Sequence, residues 1–208
     1  MGDTQPLDPS RRSGKGFKVT AGERATHEPE APAKLRACTP AIRLSEPGLT
    51  RRGSLRMRLA LFQPDIPQNL GAAMRLGACL GVPIDVIEPC GFPLSDRAVR
   101  RAAMDYGEKA EVVRHASWTD FRRRPGGRLL LFTTRSAQAF HDFDYRPDDI
   151  LLFGRESAGV PEDVHDAADA RLIIPLAAGA RSLNVAVAAA MALGEALRQT
   201  GGFPKPAA

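Results

Sequence analysis

Three short motifs in this chain set polar side chains among small residues at the ends of apolar runs. The first is Asn69-x-Gly71-x-x-x-Arg75, in QPDIPQNLGAAMRLGACLG (63–81). The second is Phe153-Gly154-x-Glu156-x-x-Gly159-x-Pro161, and the third is Ile174-Pro175 followed by Arg181-Ser182-Leu183-Asn184. Ser and Asn at the head of a helix accept its free N–H groups. A cap alone does not call for Arg-Ser-x-Asn after a strand and a flexible loop. That arrangement aims several polar groups at one spot beside exposed backbone, which suits a polar small molecule. Gly154 admits a ligand to the backbone or a positive φ. The spacing is G-x-E-x-x-G closed by Pro161, not G-x-G-x-x-G opening a helix, so dinucleotide binding is rejected. Arg75 falls in the first turns after a strand's carboxyl end, where α/β sheets bind ligands.

A fourth segment, LSDRAVRRAAMDYGEKA (94–110), sets Arg97, Arg100 and Arg101 on one helix face, with Tyr106 just beyond. A basic face beside an aromatic suits a phosphate backbone and an unstacked base. Taken singly, each motif has a structural alternative: a solvated arginine at Arg75, an exposed loop acid at Glu156, a solvated basic face at Arg97–Arg101, a capped helix at Ser182–Asn184. His115 and His141 lack metal-ligand spacing, and no G-x-S-x-G, Walker loop or H-E-x-x-H occurs. No metal is expected.

Positioning these groups falls to alternating short elements. Strands are expected at 58–63, 83–88, 110–114, 128–133, 150–153 and 171–175. Helices are expected at 67–80, 95–104, 117–124, 161–167 and 182–199. Short Val/Ile/Leu runs alternating with helical patterns predict an α/β domain with a mostly parallel sheet. Residues 1–56 are rich in Pro, Gly, Ser and charge and are expected to be a disordered extension. The domain is expected over 57–204, with a loose tail at 205–208. A start codon read too early would explain the extension's composition equally well, and an RNA-binding basic arm is the functional alternative. The extension holds 11 basic and 6 acidic residues, so it carries the whole net charge of +5 and the domain is neutral. The global charge is therefore poor support for a polyanionic partner. Nothing reaches the roughly 18–20 apolar residues of a membrane span, and the N-terminus lacks a signal peptide's apolar centre. Cys38, Cys79 and Cys90 are odd in number and form no C-x-x-C pair, which points to a reducing cytoplasm.

Taken together and in order, the three motifs resemble those of the SpoU/TrmH branch of the SPOUT methyltransferases. FQPDIPQN (62–69), IEPCGFPLSD (87–96), RRAAMDYGE (100–108) and LFTTR (131–135) resemble the TrmL-like subfamily, the tRNA (cytidine-2′-O)-methyltransferases that modify the wobble nucleotide. The resemblance runs from Met57 to about Pro204. It implies a parallel α/β sheet whose C-terminal segment is tucked through a loop as a trefoil knot, a topology too rare to propose otherwise. It also implies a homodimer, S-adenosylmethionine as cofactor and the anticodon stem-loop of tRNA as partner. By position, Phe132, Thr133, Gly154, Ile174, Leu176, Ser182 and Leu183 would hold the cofactor. Arg75, Glu156 and Asn184 would carry catalysis, with Arg75 either base or electrostatic stabiliser. Asn69, Arg97, Arg100, Arg101 and Tyr106 would meet RNA. The chain departs from the subfamily at Ala72, Ala186 and Gly107, where Asn, Ser and His are usual. Alternatives with the same fold are 2′-O-methylation of another tRNA position or of rRNA, and a non-catalytic RNA-binding knot protein.

Overall fold

The computed structural model describes residues 44–45, 56–95, 97–124 and 126–205. In chain order the elements are β1 (Leu44–Ser45), β2 (Arg58–Phe62), α1 (Pro67–Leu80), β3 (Ile84–Ile87) and α2 (Arg97–Ala103). A 3₁₀ segment (Met104–Glu108) follows, then β4 (Val112–His115), α3 (Trp118–Arg122), β5 (Leu129–Phe132), β6 (Ile150–Phe153), α4 (Glu162–Asp166), β7 (Ala170–Leu172) and α5 (Val185–Thr200). All strands pair in parallel, in the order β1-β4-β3-β2-β6-β5-β7. The runs IDVI and ILLF are buried along their whole length, as strands covered on both faces must be.

The pairing of Leu44 with Val112 and Ser45 with Val113 brings part of the segment expected to be disordered onto the sheet edge. The rest of that expectation, at 1–43 and 46–55, and the end of the tail, at 206–208, lie outside the described residues. No helix among the described residues is long and apolar enough to cross a membrane.

The strand register sorts side chains between two cores. On one face Leu59, Leu61, Ile84, Val86, Leu130 and Leu151 pack with α1, α2 and α5. Buried residues recur at 70, 73, 74 and 77 of α1, the helical period of a core-facing stripe. Pro67 opens that helix where its missing N–H costs nothing. A Cβ added to Gly71 would stand 2.5 Å from the Ala102 Cβ and 2.6 Å from the Val99 carbonyl, so this glycine sets how closely α1 and α2 approach. In α5 the residues turned inward are Ala189, Ala192, Leu193, Ala196 and Leu197.

The other face carries Ala60, Phe62, Ile87, Leu129 and Leu152 under α3 and α4. A charged cluster lies there too. Asp85, fully buried, accepts from Arg58 Nε at 2.6 Å and contacts His115 Nε2 at 2.7 Å, tying β2, β3 and β4 together. Ser117 caps α3 by accepting from the Asp120 N–H, while the Asp120 carboxylate accepts from the Ala116 N–H. Of the free thiols, Cys79 is exposed on α1, and burial pushes Cys90 up to about 12.

Several boundaries differ from expectation. The apolar run 171–175 reads as one strand, yet β7 ends at Leu172, level with the end of β5 at Phe132. Ile173 keeps a single bridge to Ala139, and Pro175 has no N–H to extend a ladder. α5 begins at Val185, three residues later than expected, because Asn184 is its cap.

Candidate active site

A cavity of about 430 Å³ opens at the carboxyl ends of β2, β5 and β6. From β2 the chain builds β3 and β4 to one side, and β6 and β5 lie on the other. The cavity therefore sits at the topological switch point, where the loops leaving adjacent strands diverge.

The turn after β2 and the loop after β6 are locked together across that crevice. Asp65 N–H donates to Glu156 Oε2 at 3.2 Å, and the Asp65 carboxylate accepts the N–H groups of Glu156 (3.2 Å) and Ser157 (3.4 Å). The Ser157 hydroxyl also donates to Asp65, and Arg155 donates to the Gln63 side chain. Gln63 has a φ of +46°, a left-handed backbone for a non-glycine residue at the edge of the site. Gly154 turns the loop inward without a positive φ of its own. A Cβ there would lie 2.7 Å from the Gly159 carbonyl, with which the loop closes its antiparallel bridge.

From this clamp a line of side-chain bonds crosses the cavity. Asn69 Nδ2 donates to Glu156 Oε1 at 2.8 Å, and Asn184 Nδ2 donates to Asn69 Oδ1 at 2.8 Å. Asn184 Oδ1 accepts from the N–H groups of Ala186 and Val187, capping α5. The three motifs, far apart in sequence, thus meet in one hydrogen-bonded chain. Burial and the adjacent Asp65 push the Glu156 carboxyl above the usual carboxylate range. The bond to Glu156 and the donors of Ser157 hold Asp65 down at about 2. Both Glu156 oxygens are engaged by the protein, so its geometry suits holding Asn69 and the loop.

Every residue expected to hold a cofactor lines this cavity: Phe132, Thr133, Gly154, Ile174, Leu176, Ser182 and Leu183. The Phe132 and Phe153 rings stack at 4.7 Å as part of its wall. Between Ile174 and Asn184 the one backbone pair among the described residues is Ala180 N–H to Ala177 C=O. The peptide groups of Ile174, Leu176, Ser182 and Leu183 are left for a polar guest.

The expected catalytic set divides. Glu156 and Asn184 line the cavity, whereas Arg75 does not. Residues six apart on a helix are turned by about 240°, so α1 cannot present Asn69 and Arg75 to one point. Asn69, expected on the RNA face, is 7% exposed and bonded at both ends inside the site. Arg97 and Arg101 are exposed on α2 and Arg100 is half-buried, all outside the cavity. Tyr106 already carries Arg75 and Lys109 against its ring. Sequence reasoning passed over Asp65, whose one signal is an acid just after a strand beside a motif, and also Thr134 and Ile173 in the wall. Glu162, His165 and Asp166 come within reach of a shared metal ion, but Arg135 and Arg171 engage the two carboxylates.

A parallel sheet with a hydrogen-bonded Glu–Asn–Asn line at its switch point defines a small-molecule-binding α/β enzyme. The SpoU rRNA Methylase family matches residues 56–194, and the chain belongs to that family. It is 61% identical over 150 residues to the tRNA (cytidine(34)-2′-O)-methyltransferase of Beijerinckia indica, covering 71% of this chain and 94% of that one. A solved structure described as giving insight into 2-OH methylation of C/U34 on tRNA superposes with a TM-score of 0.67 at 40% identity, covering 71% and 97% of the two chains. The SpoU methyltransferase AviRb of Streptomyces viridochromogenes, solved with AdoMet, gives 0.63 at 28% identity over 71% and 61%.

Proposed function

We propose that this chain is an S-adenosylmethionine-dependent methyltransferase acting on the ribose 2′-hydroxyl of the tRNA wobble nucleotide, and that it works as a homodimer. The observation that carries the reading is the meeting of Asn69, Glu156 and Asn184 beside a cavity lined by unpaired peptide groups. The relatives named as position-34 2′-O-methyltransferases support the acceptor.

The cavity suits the cofactor. Its volume lies within the roughly 300–1,000 Å³ of small-molecule sites. Phe132, Ile174 and Leu183 offer apolar walls for a base, and the peptides of 174–183 offer donors and acceptors for a polar end. Bound there, S-adenosylmethionine supplies a methyl group already activated on a sulfonium. The protein's task is then alignment, and fixing two reactants can be worth about 7–11 kcal/mol. Glu156 holds Asn69, Asn69 holds Asn184, and the capped start of α5 is fixed against the cavity. A guanidinium offers only donors and no acceptor, which favours Arg75 stabilising a developing alkoxide and its neighbouring phosphate over acting as base.

Arg75 reaches a reaction centre in this reading from the neighbouring subunit. Support comes from α5, where Val187 and Met191 stand exposed at i and i+4, 49% and 42% exposed, with Leu183 exposed just before the Asn184 cap. Exposed apolar residues of this kind on a helix packed against α1 suit a two-fold, self-complementary contact. Arg97 and Arg101 on α2 add a basic approach for the anticodon stem-loop. The order of β6 between β2 and β5, and the bonds of Ile173 and Arg171 to the 136–140 loop, support a knotted C-terminal segment.

Purified protein incubated with labelled S-adenosylmethionine and total tRNA should incorporate methyl groups that map to the wobble ribose. Cofactor binding without incorporation would sink the proposal. Arg75→Ala should lose turnover and keep cofactor affinity. A mixed dimer of Arg75→Ala and Asn69→Ala chains should regain activity above either parent.

A further inference from the structure

Two uncharged groups hold the Arg75 guanidinium. Its Nη1 donates to the Met104 thioether at 3.1 Å, and its guanidinium carbon stands 5.5 Å from the centre of the Tyr106 ring. Neither partner carries charge. Among the residues whose side chains are described, no carboxylate lies within ion-pair distance of Arg75; Arg58, Arg128, Arg135, Arg171 and Arg198 each have one, whereas Arg97, Arg101 and Arg122, like Arg75, have none. Met104 is also one of two described non-glycine residues with left-handed backbone, at φ +52°. The residue is 52% exposed, so burial does not account for a methionine in that conformation. Strain of this kind persists where function selects it.

We propose that Met104 and Tyr106 are positioning residues for Arg75, forming a charge-neutral seat that fixes the guanidinium and leaves its full charge for an anionic group. The inference rests on the assignment of Arg75 to methyl transfer made above. A carboxylate partner would orient the guanidinium more tightly but would compete with a phosphate through strong charge-assisted bonds. A thioether is a weak acceptor, and an aromatic face attracts a cation at exposed sites by a small amount. Both orient Arg75 and yield to a phosphate or a developing alkoxide. Lys109, 5.6 Å from the same ring, adds positive potential on that side of the seat. Tyr106 therefore serves through Arg75, not by stacking on a base.

The test uses the full-length chain with Arg75→Ala, Met104→Gly, Tyr106→Leu and Tyr106→Phe. Glycine accepts φ +52° freely, so Met104→Gly should melt higher, by about 2–4 °C, while kcat falls between about tenfold and a hundredfold. Cofactor affinity should not change. Tyr106→Leu should lose kcat to a similar degree, and Tyr106→Phe, which keeps the ring face, should restore most of that loss. A purely structural role would move stability and activity in the same direction. Wild-type kcat in both Met104→Gly and Tyr106→Leu, with Arg75→Ala inactive, would overturn this proposal alone. A Tyr106→Phe variant as impaired as Tyr106→Leu would overturn it too, by showing that the hydroxyl matters. Full turnover in Arg75→Ala would remove the reading on which it rests.

Discussion

Asp65 and Glu156 are two carboxylates on facing turns whose proton affinities move apart. Asp65 is held at about 2, so the fold favours its ionised form. Its contribution to stability is complete above an ordinary aspartate value of about 4 and drains away as the pH falls towards its folded value. Glu156 runs the other way. Its raised pKa favours the protonated form, so its contribution is present at low pH and lost as the pH rises through that value. Asp65→Asn should therefore have a lower urea midpoint than the parent at pH 6, and the gap should narrow from about pH 4 downward. A gap that stays constant to pH 3 would show that Asp65 acts through shape alone. Neither the role of Asp65 nor the inward turn of Asn69 was legible in the sequence. An acid in a turn reads as solvated. An asparagine in a first helical turn has no sequence mark that tells which loop it will meet, since its partners lie 87 and 115 residues away.

The packing of α1 on α2 depends on one missing methyl group. Gly71→Ala would drive a Cβ against the Val99 carbonyl and Ala102, neither of them a flexible side-chain end. Overpacking of this kind costs about 1–3 kcal/mol and should appear as a fall in melting temperature of about 2–4 °C for each kcal/mol. An unchanged melting temperature would mean that α2 shifts freely, and the seat of Arg75 with it. At this scale the sequence was most informative. The helices from 67 and near 182 and the strands at 58, 84, 129 and 150 follow from apolar period and length. Their lateral order does not, because β6 between β2 and β5 is settled by packing among distant segments. The short β7 shows the same limit: an apolar run was long enough for a strand, but its second half forms a cavity wall.

For the whole molecule, the family match starts at residue 56 and the cavity draws on nothing before Ile66. A chain beginning at Met57 is expected to fold and bind S-adenosylmethionine as the full chain does, measured by calorimetry. Lost binding would show that the pairing of β1 with β4 supports the domain. Such a chain keeps only Cys79 and Cys90. The Cys90 thiol, at about 12, is almost wholly protonated near neutral pH, while Cys79 is exposed one helical turn from Arg75. Nature has thus left a single addressable handle beside the guanidinium. A fluorophore or spin label attached there through a maleimide would report, in real time, the arrival of whatever approaches that side of α1.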